Sequence, residues 1–277
     1  MRLMLFGVVA AGLGAGRAFA QTPSPLQEWQ YSRGAVLENL YQGSPPDWQA
    51  VVGAATERAP LYDGSSRYRT RGGPVLELMY KDLAFASVGD GIGINLLRAR
   101  NYVGGIAVTY DLGRRVEDDT VHLRGLDNLG RAPVVKLFYS YVLSESFPLV
   151  LRADVREIIG GEGGVMADAG GYLPLPGSSA NFMMFAGTTV TWADHTHEAR
   201  VFGVSTEESE LSAYPQFSAH AGLQSAGVGF SATRRFGRHW MVNFDAAYSR
   251  LRSSARESPI TQERNQHVYT LSAAYQW

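Results

Sequence analysis

His267-Val268-Tyr269-Thr270-Leu271-Ser272-Ala273-Ala274-Tyr275-Gln276-Trp277 is the stretch whose reading decides the fold. Taken with a period of two, His267, Tyr269, Leu271, Ala273, Tyr275 and Trp277 share one face. Val268, Thr270, Ser272, Ala274 and Gln276 share the other. A strand sends successive side chains to opposite faces, so one side is apolar and aromatic and the other mostly polar. A soluble protein rarely finishes on Tyr and Trp with no polar tail behind them. A transmembrane β-barrel does so readily, because its outer face meets lipid and its rim carries an aromatic girdle. Tyr275 and Trp277 are accordingly read as a barrel assembly signal.

Working back from that strand, the same alternation recurs. Trp240, Val242, Phe244, Ala246 and Tyr248 alternate with Asn243, Asp245 and Ser249. Leu149, Leu151, Ala153 and Val155 alternate with Arg152, Asp154 and Arg156, and Val135–Leu143 and Ile106–Leu112 follow the same rule. Further strands are expected at Trp29–Leu40, Gln49–Thr56, Leu76–Lys81, Phe85–Leu97, Gly164–Leu173, Phe182–Trp192 and Phe217–Arg235. This gives an all-β chain of twelve antiparallel strands, with ten or fourteen left open by the glycine-rich segments. No stretch carries a convincing helical period.

The connections give an independent phase. Barrels of this kind alternate long outer loops with short periplasmic turns, and both ends face the periplasm. The longest connections, Gly113–Arg131, Asp194–Pro215 and Arg252–Gln266, follow strands five, nine and eleven. The short ones, Ser144–Pro148 and Phe236–His239, follow strands six and ten. Only Pro60–Gly73, after strand two, breaks the pattern. A soluble sandwich also alternates, but it would carry Lys and Glu freely on its wet faces. Charged residues are only 18% of this chain.

The amino end predicts export. Arg2 precedes an apolar run over Leu3–Ala15, and Ala18-Phe19-Ala20 matches a signal peptidase site before Gln21. Residues 1–20 are read as a signal peptide and 21–277 as the barrel. The run is too short and glycine-rich for a retained spanning anchor. Of the 25 basic residues, removing Arg2 and Arg17 leaves 23 against 26 acidic ones, a formal charge of −3. That balance does not suggest nucleic acid as a partner. With 0 Cys, neither disulfides nor thiol chemistry is available.

Several segments resemble the MipA/OmpV family of Gram-negative outer-membrane proteins. They are Pro23-Ser24-Pro25-Leu26 with Trp29, Pro60-Leu61-Tyr62-Asp63-Gly64, Tyr110-Asp111-Leu112-Gly113-Arg114 and Leu123-Arg124-Gly125-Leu126. Thr191-Trp192-Ala193-Asp194, Phe202-Gly203-Val204-Ser205, Ser212-Ala213-Tyr214-Pro215 and Ser258-Pro259-Ile260-Thr261 continue the series. The resemblance implies an outer-membrane barrel in contact with lipid. In the family's name-giving member it also implies a scaffold joining the lytic transglycosylase MltA to a murein synthase. A periplasmic partner would then meet Pro23–Leu26 and the Pro60–Gly73 connection, with Tyr62 and Tyr68 at the contact. The other reading is a small or gated pore for solute uptake or efflux.

Chemical constellations are few. In a strand, His195 and His197 of Asp194-His195-Thr196-His197-Glu198 would point the same way and offer a metal two imidazoles, yet no third ligand can be named from spacing. A solvated outer loop is the reading adopted. Ser218, His220 and Asp245 have no catalytic spacing, and no Gly-x-Ser-x-Gly elbow occurs. Gly89-Asp90-Gly91-Ile92-Gly93 lacks a following helix, so it is read as bulged strand rather than a phosphate loop. No catalytic, cofactor or metal site is assigned. Asp111, Lys136, Arg152, Asp154, Arg156 and Asp245 fall on polar faces. Their mixed signs on neighbouring strands favour mutual compensation inside the lumen over an open aqueous pore.

Overall fold

The computed structural model describes residues 47–144, 146–160 and 163–277. Twelve strands close into one barrel, each antiparallel to its neighbours in sequence. They are β1 (Trp48–Pro60), β2 (Tyr68–Tyr80), β3 (Ala84–Ser87), β4 (Gly91–Ala99), β5 (Tyr102–Asp111) and β6 (Ala132–Val142). β7 (Val150–Ile158), β8 (Val165–Pro174), β9 (Phe182–Ala193), β10 (Gly222–Phe236), β11 (Trp240–Leu251) and β12 (Asn265–Gln276) complete the wall. Closure is made by β1 against β12, from Val51 opposite Gln276 to Arg58 opposite Tyr269.

The alternation sets the two faces. On β12, Tyr269 and Leu271 are exposed, whereas Val268, Thr270 and Ala274 are buried. Leu137 on β6, Leu151 and Val155 on β7 and Phe244 on β11 are likewise exposed. These apolar side chains ring the outside of the wall, where only lipid suits them, and the polar set turns inward. The barrel spans a membrane.

The connections after β2, β4, β6, β8 and β10 are short and lie at one end, beside the start of β1 and the finish of β12. That end is periplasmic by the rule for such barrels. Its rim is aromatic: Trp48 meets Tyr80 at 4.5 Å, and Tyr275 meets Trp240 at 5.2 Å and Trp277 at 4.8 Å between ring centroids. The other end carries six connections in chain order: 61–67, 88–90, the long 112–131, that between β7 and β8, and the long 194–221 and 252–264.

The number twelve holds, but two of its parts change. The expected strand Trp29–Leu40 lies outside the described residues, and the wall closes without it. Phe85–Leu97, read as one bulged strand, is two strands, β3 and β4, joined by a turn at residues 88–90. Gly91 takes φ +79° there, and a Cβ on it would sit 2.1 Å from the Val108 carbonyl oxygen. Side chains rarely adopt that backbone, so the turn requires glycine.

The loss and the gain cancel after β4, which leaves the phase of the later loops intact. They do not cancel before it. The connection within Pro60–Gly73 follows the first strand, so it sits at the outer end and no longer breaks the pattern. It is not a periplasmic contact surface. Pro23–Leu26 lies outside the described residues.

Helices were not expected, and three short ones occur in the outer loops: α1 (His195–Phe202), α2 (Thr206–Leu211) and α3 (Ser253–Glu257). The Asp194 side chain accepts from the His197 amide at 2.7 Å and starts α1. Ser205 and Glu208 form a reciprocal capping box at the start of α2. At five to eight residues, none survives alone in water, so each depends on what it packs against.

Candidate functional site: the outer cap and the lumen

The outer loops form a folded layer. Leu61 and Tyr62 from the first connection, Leu123 and Leu126 from the third, Val204 from the fifth and Ile260 from the sixth bury one another, with Tyr214 and Phe217 against them. A second cluster joins Phe202 of α1 to Ala219, Leu251 and Ala255 of α3. Burying a large aliphatic side chain contributes about 1.5–3 kcal/mol, so the layer is held as a domain core is. Polar ties cross it: Arg67 to Asp119 at 2.8 Å, Arg69 to Asp118 at 2.7 Å, and the Ser258 hydroxyl donating to the Phe202 carbonyl at 2.6 Å. At Gly125, φ +83°, a Cβ would fall 2.2 Å from the Leu211 carbonyl oxygen, so loops 112–131 and 194–221 touch backbone to backbone. Together these contacts cap the outer mouth.

Below the cap, charge fills the lumen. Asp154 on β7 lies directly opposite Asp168 on β8, and Lys136 on β6 lies directly opposite Arg156 on β7. Like charges so placed repel. The arrangement resolves this by alternation: Arg156 bonds Asp168 and lies 3.3 Å from Asp154, while Lys136 bonds Asp90 at 3.1 Å. Arg152 joins Asp154 at 3.8 Å. Arg156 is only 1% exposed and Lys136 2%. Such buried charges hold only when matched on all sides, because taking each out of water is costly.

Of the six polar-face residues read from the sequence, Lys136, Arg152, Asp154 and Arg156 thus belong to one lattice. Asp111, at the end of β5, is matched instead by Arg200 of α1 at 2.7 Å, which pins the cap to the wall. Asp245 stands apart on β11, opposite Ser231, with no basic residue at ion-pair distance among the described residues. Asp90 and Asp168 complete the lattice, and neither they nor Arg200 was read from the sequence as a lumen charge.

Between cap and lattice lies a cavity of about 830 Å³, counting the space open to solvent at its mouth. Tyr62, Asp63, Arg114, Thr191, His197 and Gln266 contribute to its lining. Asp63 is wrapped by protein yet keeps its side chain open to cavity water. Burial, and then the nearby Asp111, push its carboxyl up to about 6. His197 is pushed down to about 4 by burial, so it is neutral at pH 7. Beside it, Glu198 is 1% exposed and neither carboxyl oxygen has a hydrogen-bond partner among the described residues. Burial, with Asp63 second, raises it to about 8, so the fold holds it protonated at neutral pH.

The helix also overturns the premise on which His195 and His197 might share a metal. Their side chains diverge, His195 to solvent and His197 to the interior. Among the described residues, no group of three His, Cys, Asp or Glu side chains is placed to hold a metal ion. His195 stacks on His220 instead, with centroids 6.1 Å apart. No hydrogen bond among the described residues links Ser218, His220 and Asp245. His220 donates its amide to Ser254 in the cap at 2.9 Å, and Asp245 is in the wall. Tyr275 and Trp277 sit at the periplasmic rim, where the Trp277 amide donates to the Ala50 carbonyl at 3.0 Å.

The chain is similar to several solved structures of low identity. One is the CymD monoaromatic hydrocarbon channel, at 10% identity over 97% of this chain and 96% of that one, TM-score 0.41. The outer membrane channel DcaP of Acinetobacter baumannii is 9% identical over 83% and 96%, TM-score 0.37. The Pseudomonas putida toluene transporter TodX is 11% identical over 94% and 95%, TM-score 0.33. No curated protein matches the chain. The family model for MltA-interacting protein MipA matches residues 52–277, nearly the whole described barrel, and the chain belongs to that family.

Proposed function

We propose that this is a closed, non-enzymatic outer-membrane protein that acts by binding, as an adaptor for peptidoglycan-remodelling enzymes on its periplasmic side. The observation that carries the reading is the double closure of the barrel. A packed cap covers the outer mouth, and a lattice of buried, mutually matched charges crosses the lumen below it. An open pore keeps its lumen charges wet, whereas these are dry.

The family description names an interaction with MltA, and the resemblance implies the class of partner: a lytic transglycosylase, and with it a murein synthase. The surface for such a partner is the periplasmic rim. Among the described residues there, Lys81, Arg98, Arg100, Arg234 and Arg238 are exposed bases, set against the acids Asp47 and Asp82. That excess suits an anionic face on the partner. The same reading takes residues 1–20 as a leader removed on export and Tyr275 with Trp277 as the assembly signal.

In-cell crosslinking from Arg100 and Arg238, with the exposed Leu211 of the cap as control, tests the proposal. Capture of a lytic transglycosylase or murein synthase from the rim positions alone is expected. Capture only from Leu211, or a solute taken up by wild-type cells and not by deletion mutants, replaces the adaptor with the gated pore.

A further inference from the structure

We propose that the cavity beneath the cap is a binding site for a small zwitterion of the α-amino-acid class. The site goes beyond the periplasmic role and does not depend on it.

Two observations lead there independently. The first is a set of polar atoms that the protein buries without satisfying. Tyr62 Oη, Thr191 Oγ1, His197 Nδ1 and Gln266 Oε1 have no hydrogen-bond partner among the described residues. None of these four residues is more than 4% exposed, and all four line the same cavity. Buried polar groups are almost always paired, so four unsatisfied residues around one cavity give its wall polar capacity to spare, although these atoms are themselves enclosed. Donors and acceptors are both present, as a ligand with several polar groups requires.

The second observation concerns charge. Most ions around the cavity are already matched: Arg200 by Asp111, and Arg156 by Asp154 and Asp168. Two are not. The Arg114 guanidinium is buried, donates to the Val201 carbonyl at 2.8 Å and lies 6.0 Å from the centre of the Tyr62 ring. No carboxylate stands within ion-pair distance of it among the described residues. Asp63, the residue after Tyr62, has no basic partner at that distance either, although both line the cavity. One spare cation and one spare anion therefore line the same polar space. A carboxylate on Arg114 and an ammonium on Asp63 would satisfy both at once, and a molecule carrying only one charge would leave the other unmatched. A site built for two charges rejects the analogue lacking one, because its own buried group is then stranded.

Calorimetric titration of the full mature barrel in detergent tests this, using L-glutamine, its N-acetyl derivative and its methyl ester. L-Glutamine is expected to bind, with each single-charge analogue weaker by at least about tenfold, the scale of one charge-assisted contact. Asp63→Asn is expected to weaken L-glutamine by a similar factor while leaving thermal unfolding a single transition. Arg114→Gln should do the same. If its cap loosens, Asp63→Asn with the methyl ester still decides the matter, since the variant should lose any preference for an ammonium. The proposal is overturned if all three compounds bind alike, if none binds at millimolar concentration, or if Asp63→Asn binds L-glutamine as wild type does. The cavity then holds no site for a zwitterion.

Discussion

At the outer end four of the connections bury a core of their own, with Leu123 and Ile260 wholly covered. At the periplasmic end they are turns too short to bury anything, edged by Trp240, Tyr275 and Trp277 and by exposed arginines. The contrast separates two jobs. Apolar packing makes the cap a unit that can detach from the wall without stranding a charge, except where Arg200 grips Asp111 and where Arg69 on β2 holds Asp118. Between the two ends, the lattice has no such freedom, since moving one member leaves like charges facing each other.

The largest expected effect comes from breaking that lattice. Arg156→Gln removes the guanidinium that bridges the opposed carboxylates of Asp154 and Asp168. A loss of about 3–5 kcal/mol is expected, the usual cost of breaking a buried pair from one side. It would be read as a lowered denaturant midpoint for the whole barrel. Adding Asp168→Asn should recover part of it.

Next is the cap. Leu123→Ala opens a cavity in the outer core and should cost about 2–5 kcal/mol of local stability. Limited proteolysis should then cut within 112–131 and 194–221 while the wall stays intact. If wall and cap melt together, the two regions are not separable as described.

A smaller effect follows from Glu198. Its carboxyl, ordinarily near 4.5, stays protonated in the fold up to about 8. The folded cap therefore keeps a proton that the unfolded chain has already lost, and cap stability falls as pH rises between those values. His197, lowered to about 4, acts the opposite way below about 6.5, and the contribution of Asp63 ends near 6. The window from 6.5 to 8 is left to Glu198, at no more than about 1.4 kcal/mol per pH unit. The protection factor of α1, which is its exchange rate corrected for intrinsic base catalysis, should fall across that window in the wild type and stay flat in Glu198→Gln. A flat protection factor in the wild type would contradict the assignment.

The wall was legible because strand alternation is a local property. His267–Trp277 could be divided into lipid and lumen faces from residue type alone, and the faces of β6, β7 and β11 followed the same rule. The β3–β4 turn was harder, since Gly89, Gly91 and Gly93 fit a bulge as well as a reversal. The strand counted before Trp48 put the 61–67 connection at the wrong end, and the missed turn at 88–90 restored the count beyond β4.

The cap was read least well. α1 spans only eight residues, too few to display a helical period. The Ser205–Glu208 spacing was a capping signal open to reading. The Arg200–Asp111 pair spans 89 positions, and no local pattern announces it. The unmatched Asp63 and Arg114 are in the same case, because only the closed barrel brings their loops to one cavity.

The smallest effect on the folded molecule is expected at the rim. Trp277 is largely exposed, so Trp277→Ala should scarcely change the stability of assembled barrel. Insertion into the outer membrane should fall, with export unaffected, if this end is the assembly signal. Wild-type insertion of the variant would remove Trp277 from that role.

Single-channel recording of the wild-type barrel in planar bilayers tests the central claim most directly. A cap packed over a matched charge lattice predicts a flat baseline at moderate voltage, with at most brief, small openings. Steady, large conductance steps would show an open lumen and contradict the account.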